Sequence, residues 1–177
     1  MLLDRSENSG SVLFEIDAYD LCWIDKSDDD PADLCLHARA VAKIGTEIFE
    51  YAVAVNATAL FLLKTLTENH IIKAGNQMLP CCGHFIIANN ELDNVEIGGC
   101  HNGIDWSVEH DEGMVKITTE SGKVTLVDKM MYEEEVIKFA DKIKTFYDNC
   151  SQKKFHDEFD KNGYIAFWNE WNRRRNT

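Results

Sequence analysis

Cysteine and histidine occur close together in two segments of this chain. The segment LPCCGHF contains Cys81, Cys82 and His84, and the segment IGGCHNGIDW contains Cys100 and His101. Thiolates and imidazoles are the ligands that Zn²⁺ prefers in proteins, and a thiol activated by a nearby histidine is a common nucleophile. The two segments therefore raise the question of a metal site or a catalytic thiol.

The spacing of these residues favours a structural role. In a sequence, zinc sites are usually indicated by a C-x₂-C or an H-x₃₋₅-H pair, and this sequence contains neither. Cys81 and Cys82 are adjacent, so an extended backbone directs their side chains to opposite faces and only one of them can join the others. We expect buried structural thiols, a hydrogen-bonded histidine and no cofactor. The alternative is a zinc site of Cys82, His84, Cys100 and His101, or a small cytosolic enzyme that uses this group together with Cys81.

Other catalytic signatures are missing from the sequence. It contains no P-loop, no dinucleotide-binding glycine fingerprint, no H-E-x-x-H and no G-x-S-x-G. The segment DKSDDD begins like a calcium-binding loop at Asp25. Asp30 stands where the EF-hand needs glycine, however, and Leu36 stands where it needs glutamate. The sequence therefore assigns no catalytic residue.

Acidic residues are concentrated in two blocks of a chain whose net charge is −13. Residues 1–34 hold ten acidic against two basic residues, and residues 90–120 hold eight against one. Such charge disfavours nucleic acid and anionic lipid as partners and favours a basic protein. The side chains expected to contact that partner are Asp28, Asp29, Asp30, Asp33, Asp105, Glu109, Asp111 and Glu112.

The location of the protein is predicted from the absence of export and membrane signals. The N-terminus lacks a cationic segment followed by an apolar stretch, and the most apolar window, YAVAVNATALFLL, is shorter than the ~20 residues that cross a bilayer. We therefore expect a cytoplasmic protein without a membrane partner. Its cysteines are expected to be reduced, with Cys22, Cys35 and Cys150 as small core residues.

The elements that position these residues are predicted from hydrophobic periodicity. Alternation in residues 34–44 predicts a strand, and the pattern of residues 57–70 predicts a largely buried helix capped by Asn56. Short apolar segments between glycine turns in residues 94–127 predict an antiparallel meander. An apolar face repeating at helical spacing predicts an amphipathic helix in residues 132–150.

The remaining elements complete an α+β fold. We expect strands at residues 11–17 and 47–55, a helix at 152–160 that stops at Asp160–Gly163, and a last helix at 164–175. This order indicates a mostly antiparallel sheet, a buried helix after the N-terminal strands, and C-terminal helices packed on the sheet. The length and composition fit a single globular domain over residues 1–177.

Several segments together resemble a known type of protein. The segments DLCLHARAVAKIG, ATALFLLKTL, PCCGHF, GCHNGIDWSVEH and GYIAFWNEW look like the small cytoplasmic immunity proteins that accompany bacterial polymorphic or contact-dependent toxins. The resemblance is general, extends over most of the chain and carries no defined signature or site residues. It implies a non-enzymatic inhibitor of a cognate toxin domain. The acidic excess suits a toxin with a basic face, such as a nuclease.

Overall fold

The computed structural model describes residues 13–73 and 75–177. The N-terminal segment and the first two residues of the predicted strand at 11–17 lie outside this part. The elements in chain order are β1 (Phe14–Cys22), β2 (His37–Ile44), β3 (Glu47–Ala54), α1 (Val55–Lys64), β4 (Leu79–Pro80), β5 (Phe85–Ala88), β6 (Val95–Gly98), β7 (Gly103–Ile104), β8 (Trp106–Asp111), β9 (Met114–Thr119), β10 (Val124–Asp128), α2 (Lys129–Asp148) and α3 (Glu158–Arg175).

The predicted α+β class is confirmed, with the strands divided among small antiparallel sheets. One sheet has the order β1-β2-β3 and another the order β10-β9-β8, while β4 pairs with β7 and β5 with β6. The expected meander over residues 94–127 is confirmed from β8 to β10, where Gly113 and Gly122 turn the hairpins with positive φ angles of 88° and 82°. Its first part is wrong, because β6 pairs with β5 and β7 with β4.

Helix α1 is the centre of the core, as the sequence predicted. All residues from Val55 to Leu63 are buried, and α1 packs against α2, α3, β2 and β4. Both predicted ends of this helix are wrong, because α1 follows β3 without a loop and ends at Lys64, six residues before the predicted end at His70. Asn56 lies inside the helix and does not cap it. The backbone N–H of Val55 donates instead to the carbonyl of Leu36, at 2.8 Å.

The C-terminal helices correct a second prediction. Helix α2 buries the predicted face and begins at Lys129, where the carboxylate of Asp128 accepts hydrogen bonds from the next turn. The two expected C-terminal helices are one helix, α3, and residues 151–157 are not helical. Gly163 does not stop α3, since it lies against β5 at a point where a Cβ would be 2.1 Å from the carbonyl oxygen of Ile86. Because glycine has no side chain, α3 and β5 can pack closely at this position.

Membrane insertion receives no support from the helices. Within residues 13–73 and 75–177, no helix combines the length and the apolar character needed to cross a bilayer.

We expect Gly163→Ala to destabilise the protein by about 1–3 kcal/mol, because the new methyl group must displace β5 from α3. Alanine favours helix over glycine by ~1 kcal/mol, so a stabilisation would show that the close contact does not exist in solution. Urea unfolding followed by circular dichroism measures the difference. Gly75→Ala is the control, because nothing lies within 4 Å of its new methyl position, and its midpoint should stay close to that of the wild type.

Candidate functional site

The cysteine and histidine residues that the sequence brings together fall into two groups in the structure. One group contains Cys81, Cys82 and Cys100, and the other contains His84 with Cys35 and His37. In each group one donor atom per residue lies within 4.8 Å of the others. The predicted alternative metal set is therefore divided, and His101 belongs to neither group.

The sulfur group corrects the expectation that every cysteine is a free thiol. Cys81 and Cys100 form a disulfide. The pairing of β4 with β7 brings them together, since the N–H of Cys81 donates to the carbonyl of Asn102 at 3.0 Å just beyond the paired strands. The thiol of Cys82 lies 3.2 Å from the Cys100 sulfur and accepts the Cys100 N–H at 3.0 Å. Because the sulfur of Cys81 is bonded to that of Cys100, this arrangement does not support Cys81 as a free nucleophilic thiol.

The histidine group lies where β2 begins. The Cys35 thiol is buried, as predicted, and donates to Asn56 Oδ1 and to the Gly83 carbonyl, each at 3.6 Å. Burial raises the pKa of Cys35 to about 12. The ring of His37 lies 5.4 Å from that of His84, and partial burial lowers the pKa of His37. Cys35 is therefore a protonated thiol beside a neutral imidazole at physiological pH.

The other two cysteines expected in the core are only half-buried. Cys22 pairs with His37 across β1 and β2, and Cys150 follows α2. The Cys150 thiol donates to the carbonyl of Phe146 at 3.3 Å and to that of Asp28 at 3.6 Å. Burial raises the pKa of Cys150. Both thiols thus line the boundary between the core and the surface.

The end of the first acidic block, residues 23–34, lies in the loop between β1 and β2, which its own carboxylates hold in place. Asp33 accepts from the N–H groups of Ile24 and Cys35, and Asp30 accepts from that of Ala32. These two aspartates are half-buried and act in loop structure. They are less suited to a partner contact than the sequence suggested.

Asp28 and Asp29 are the exposed members of the predicted set in this loop. Asp29 accepts hydrogen bonds from the N–H and hydroxyl groups of Ser151, which fix it beside the end of α2. Asp25, which the sequence analysis left outside the partner set, is exposed as well. Hydrogen bonds from Ser27 lower the pKa of Asp25 and keep it ionised. The loop therefore presents three carboxylates to solvent within five residues.

A buried lysine anchors the acidic loop from inside. The ammonium group of Lys153 donates to the carbonyl of Asp30 at 2.7 Å and lies 3.2 Å from the ring centroid of Trp23. Burial lowers the pKa of Lys153, and the carboxylates of Asp33 and Asp29 oppose that shift. Part of the negative charge of this loop therefore balances the positive charge of the buried Lys153 ammonium group. No local pattern in the sequence distinguishes Lys153 from its exposed neighbour Lys154.

Asp105 was predicted to contact a partner, and the structure shows that this is wrong. Its side chain is only 3 % exposed. Its carboxylate accepts from the backbone N–H groups of Lys73, Met78 and Trp106 and lies 2.8 Å from His70 Nε2. Since a buried carboxylate must be matched by donors, Asp105 holds His70, Lys73 and Met78 beside the start of β8.

The rest of the second block lies on the β8–β9 hairpin. Glu109 is half-buried and paired with Lys116 at 2.9 Å, whereas Asp111 and Glu112 are exposed at the tip. The carbonyl of Gly113 accepts from the N–H of Lys129, at the start of α2, while the first acidic loop contacts residues just after the end of α2. With twenty residues rising ~1.5 Å each, α2 separates the hairpin tip from the β1–β2 loop by about 30 Å. The tip and the loop do not form one surface.

Two features of these sites were missed from the sequence. The spacing Cys35-x-His37 places both side chains on one face of an extended chain, and this signal was available. Ile24 is 64 % exposed at the edge of the acidic loop, and only the structure distinguishes it from a core residue.

Comparison of this chain with known proteins identifies no relative. The chain matches no protein-family model, no curated protein and no solved structure.

We expect Lys153→Met to loosen the acidic loop, because methionine fills the space but loses the hydrogen bond to Asp30 and the contact of the cation with Trp23. These interactions together contribute ~1–3 kcal/mol to holding the loop closed. Amide hydrogens of the loop that exchange through local opening, without global unfolding, should therefore exchange roughly tenfold faster or more. Mass spectrometry of peptides covering residues 23–35 measures the rate. Lys154→Met is the matched control, and equal exchange in the two variants would contradict the anchoring role.

Proposed function

We propose that this protein is a non-enzymatic immunity protein that binds a basic toxin domain through the loop between β1 and β2. One observation carries the proposal. The exposed side chain of Ile24 lies in the same hydrogen-bonded loop as the exposed carboxylates of Asp25, Asp28 and Asp29. Protein interfaces commonly combine an apolar anchor with a polar rim in this way.

The loop is well suited to binding because its conformation is set before the partner arrives. Asp33 holds the backbone of Ile24, Ser151 holds Asp29, and Lys153 holds Asp30. An ordered loop loses less conformational entropy on association than a mobile one, so more of the contact energy appears as affinity. Preorganisation of this kind favours a specific partner.

Charge supports a basic protein as that partner. The buried ammonium of Lys153 balances acidic charge on the inner side of the loop, while Asp25 and Asp28 face solvent with no Lys or Arg within salt-bridge distance in the described parts of the chain. The net charge of −13 adds long-range attraction for a cationic surface and repels nucleic acid and anionic membranes. A toxin domain with a basic substrate-binding face, such as a nuclease, fits these requirements.

The proposed contact set is smaller than the one expected from the sequence. Asp105 is buried and Glu109 is paired, while Asp111 and Glu112 lie about 30 Å from the loop, at the other end of α2. A partner centred on Ile24 would not require the hairpin tip. The general resemblance to immunity proteins supplies the identity of the partner class.

The test compares two variants with the same change of charge. Asp25→Asn, Asp28→Asn and Asp29→Asn together should slow association by about tenfold at low salt with the toxin domain that this proposal expects to be encoded beside the gene, because rim charges act mainly on the encounter. Asparagine keeps the oxygen of Asp25 that accepts the Ser27 N–H and the oxygen of Asp29 that accepts the Ser151 N–H. The second oxygen of Asp29, which accepts from the Ser151 hydroxyl, becomes an amide NH₂ group that can donate to the same hydroxyl. Stopped-flow fluorescence measures the rate.

The control carries Asp111→Asn, Glu112→Gln and Glu120→Gln on the β8–β9–β10 hairpins. It should associate nearly as fast as the wild type, and the difference between the two variants should narrow as salt shortens the Debye length to about 8 Å. Equal rates for both variants at low salt would show that the loop is not the contact surface. Failure of the wild type to bind that domain or to protect a host that expresses it would refute the immunity function.

A further inference from the structure

A second site is suggested by Cys35, His37 and His84, which meet between β2 and the loop that enters β5. One donor atom from each residue lies within 4.8 Å of the others, and the two imidazole rings are 5.4 Å apart. A thiolate and two imidazoles form a ligand set that Zn²⁺ binds in tetrahedral geometry. The ligand atoms around a tetrahedral zinc ion are closer to one another than 4.8 Å. Small side-chain rotations would bring the three donor atoms to those distances.

The backbone brings these residues together from two directions. Cys35 and His37 are two positions apart at the entry to β2, so their side chains lie on the same side of the chain. Gly83 passes tightly over the start of α1, where a Cβ would lie 3.0 Å from Ile97 and 3.1 Å from Ala57. This close passage places the next residue, His84, beside Cys35. The arrangement therefore depends on packing and not on a flexible surface loop.

Two buried polar atoms at this place lack partners. His37 Nε2 and Asn56 Nδ2 are shielded from solvent and have no hydrogen-bond partner among the residues that the structure describes. Buried polar atoms are nearly always paired, so each of them calls for an explanation. A bound cation would engage an imidazole nitrogen of His37. If the Asn56 amide turns over, its N–H would donate to a Cys35 thiolate in place of the present bond from the thiol to Oδ1.

The neighbouring sulfur group is less suited to a metal. Its disulfide occupies Cys81 and Cys100, and Cys82 is the remaining thiol. A disulfide sulfur is not a thiolate ligand, since metal binding requires the deprotonated thiol. In the group of Cys35, His37 and His84 the cysteine is a free thiol, which would lose its proton when the metal binds.

We propose that Cys35, His37 and His84 bind one Zn²⁺, with water as the fourth ligand. Binding forms a zinc–sulfur bond and releases the Cys35 proton to solvent, so no oxidant or reductant is needed. His84 is exposed, and His37 lines an open cleft of about 380 Å³ beside β1 and β2, so the ion has a path from solvent. The site joins β2 to the 81–84 loop. It adjoins the acidic loop, since Asp33 accepts the N–H of Cys35, and it departs from the expectation of a protein without a metal.

The test uses full-length protein purified without a metal-affinity tag and stripped with a chelator. Zinc is titrated in competition with a chromogenic chelator, and the wild type should bind one equivalent. His84→Gln should weaken binding on the order of 100-fold or more, because changes even one shell further out cost about 10–100-fold. As His84 is exposed, this variant should keep the circular dichroism of the metal-free wild type.

Two control variants separate this site from the other cysteine and histidine residues. His101→Gln and Cys82→Ser should leave zinc affinity within about threefold, since neither residue is a ligand in the proposed set. Loss of zinc in Cys82→Ser with normal binding by His84→Gln would place the metal in the sulfur group and overturn the proposal. Loss of zinc binding in His101→Gln would also overturn the proposal. So would wild-type protein that binds less than one equivalent of zinc.

A spectroscopic measurement tests the sulfur ligand without relying on the histidine variants. Co²⁺ replaces Zn²⁺ in such sites, and the wild-type complex should show the strong visible absorption of tetrahedral cobalt and a thiolate charge-transfer band in the near ultraviolet. Cys35→Ser should lose the charge-transfer band. A band that persists in Cys35→Ser, or is absent from the wild type, would contradict the proposed ligand set.

Discussion

Helix α1 imposes the main constraint on this structure, because it is buried on every side. Nine consecutive residues from Val55 to Leu63 are buried, so no face of the helix can be left to solvent. Burying a large aliphatic side chain contributes about 1.5–3 kcal/mol, and α1 places several of them in one short segment. The first sheet, α2, α3 and β4 all pack against it. The rest of the chain is arranged as a shell around this helix.

The two proposed sites lie where that shell is closed. At the start of α1, the loop carrying Gly83 covers Ala57 and brings His84 to Cys35. Beyond the end of α2, the chain turns so that Lys153 covers Trp23 and holds the acidic loop. In both places, packing against the core fixes a backbone that carries polar groups.

A buried ion network closes the other end of α1. Glu170 is fully buried on α3, where it lies 3.3 Å from the ammonium of Lys64 and accepts the N–H of Val95 at 2.8 Å. Arg174 adds a second cation at 3.3 Å. Removing one member would leave an uncompensated buried charge, which is strongly unfavourable. This network therefore ties α1, α3 and β6 together at the end of α1 opposite the cysteine and histidine group.

The regular parts of the fold were predictable because their signals are local. The alternation in β2, the amphipathic face of α2 and the glycine turns at Gly113 and Gly122 each arise within a few residues of sequence. The interruption expected at Gly163 failed because a glycine that permits a left-handed turn and a glycine that permits close packing look the same in a sequence. Only the contact with Ile86 distinguishes them.

The candidate sites were less predictable because they depend on contacts between distant segments. Counting acidic residues could not separate buried Asp105 from exposed Asp28, since burial of a carboxylate depends on the donors that the fold supplies. Likewise, His84 is adjacent to a cysteine pair in sequence but meets Cys35 in space. Charge composition predicts the kind of partner, and the fold decides which carboxylates are available to it.

Zero-length carbodiimide crosslinking of the protein to the toxin domain encoded beside its gene tests the central claim most directly. This reagent joins a carboxylate to a lysine only when the two are in contact, and mass spectrometry identifies the joined residues. The account predicts crosslinks from Asp25, Asp28 or Asp29 to lysines of the partner. A complex whose crosslinks arise only from carboxylates elsewhere, such as Glu112 or Glu96, would contradict the acidic loop as the binding surface.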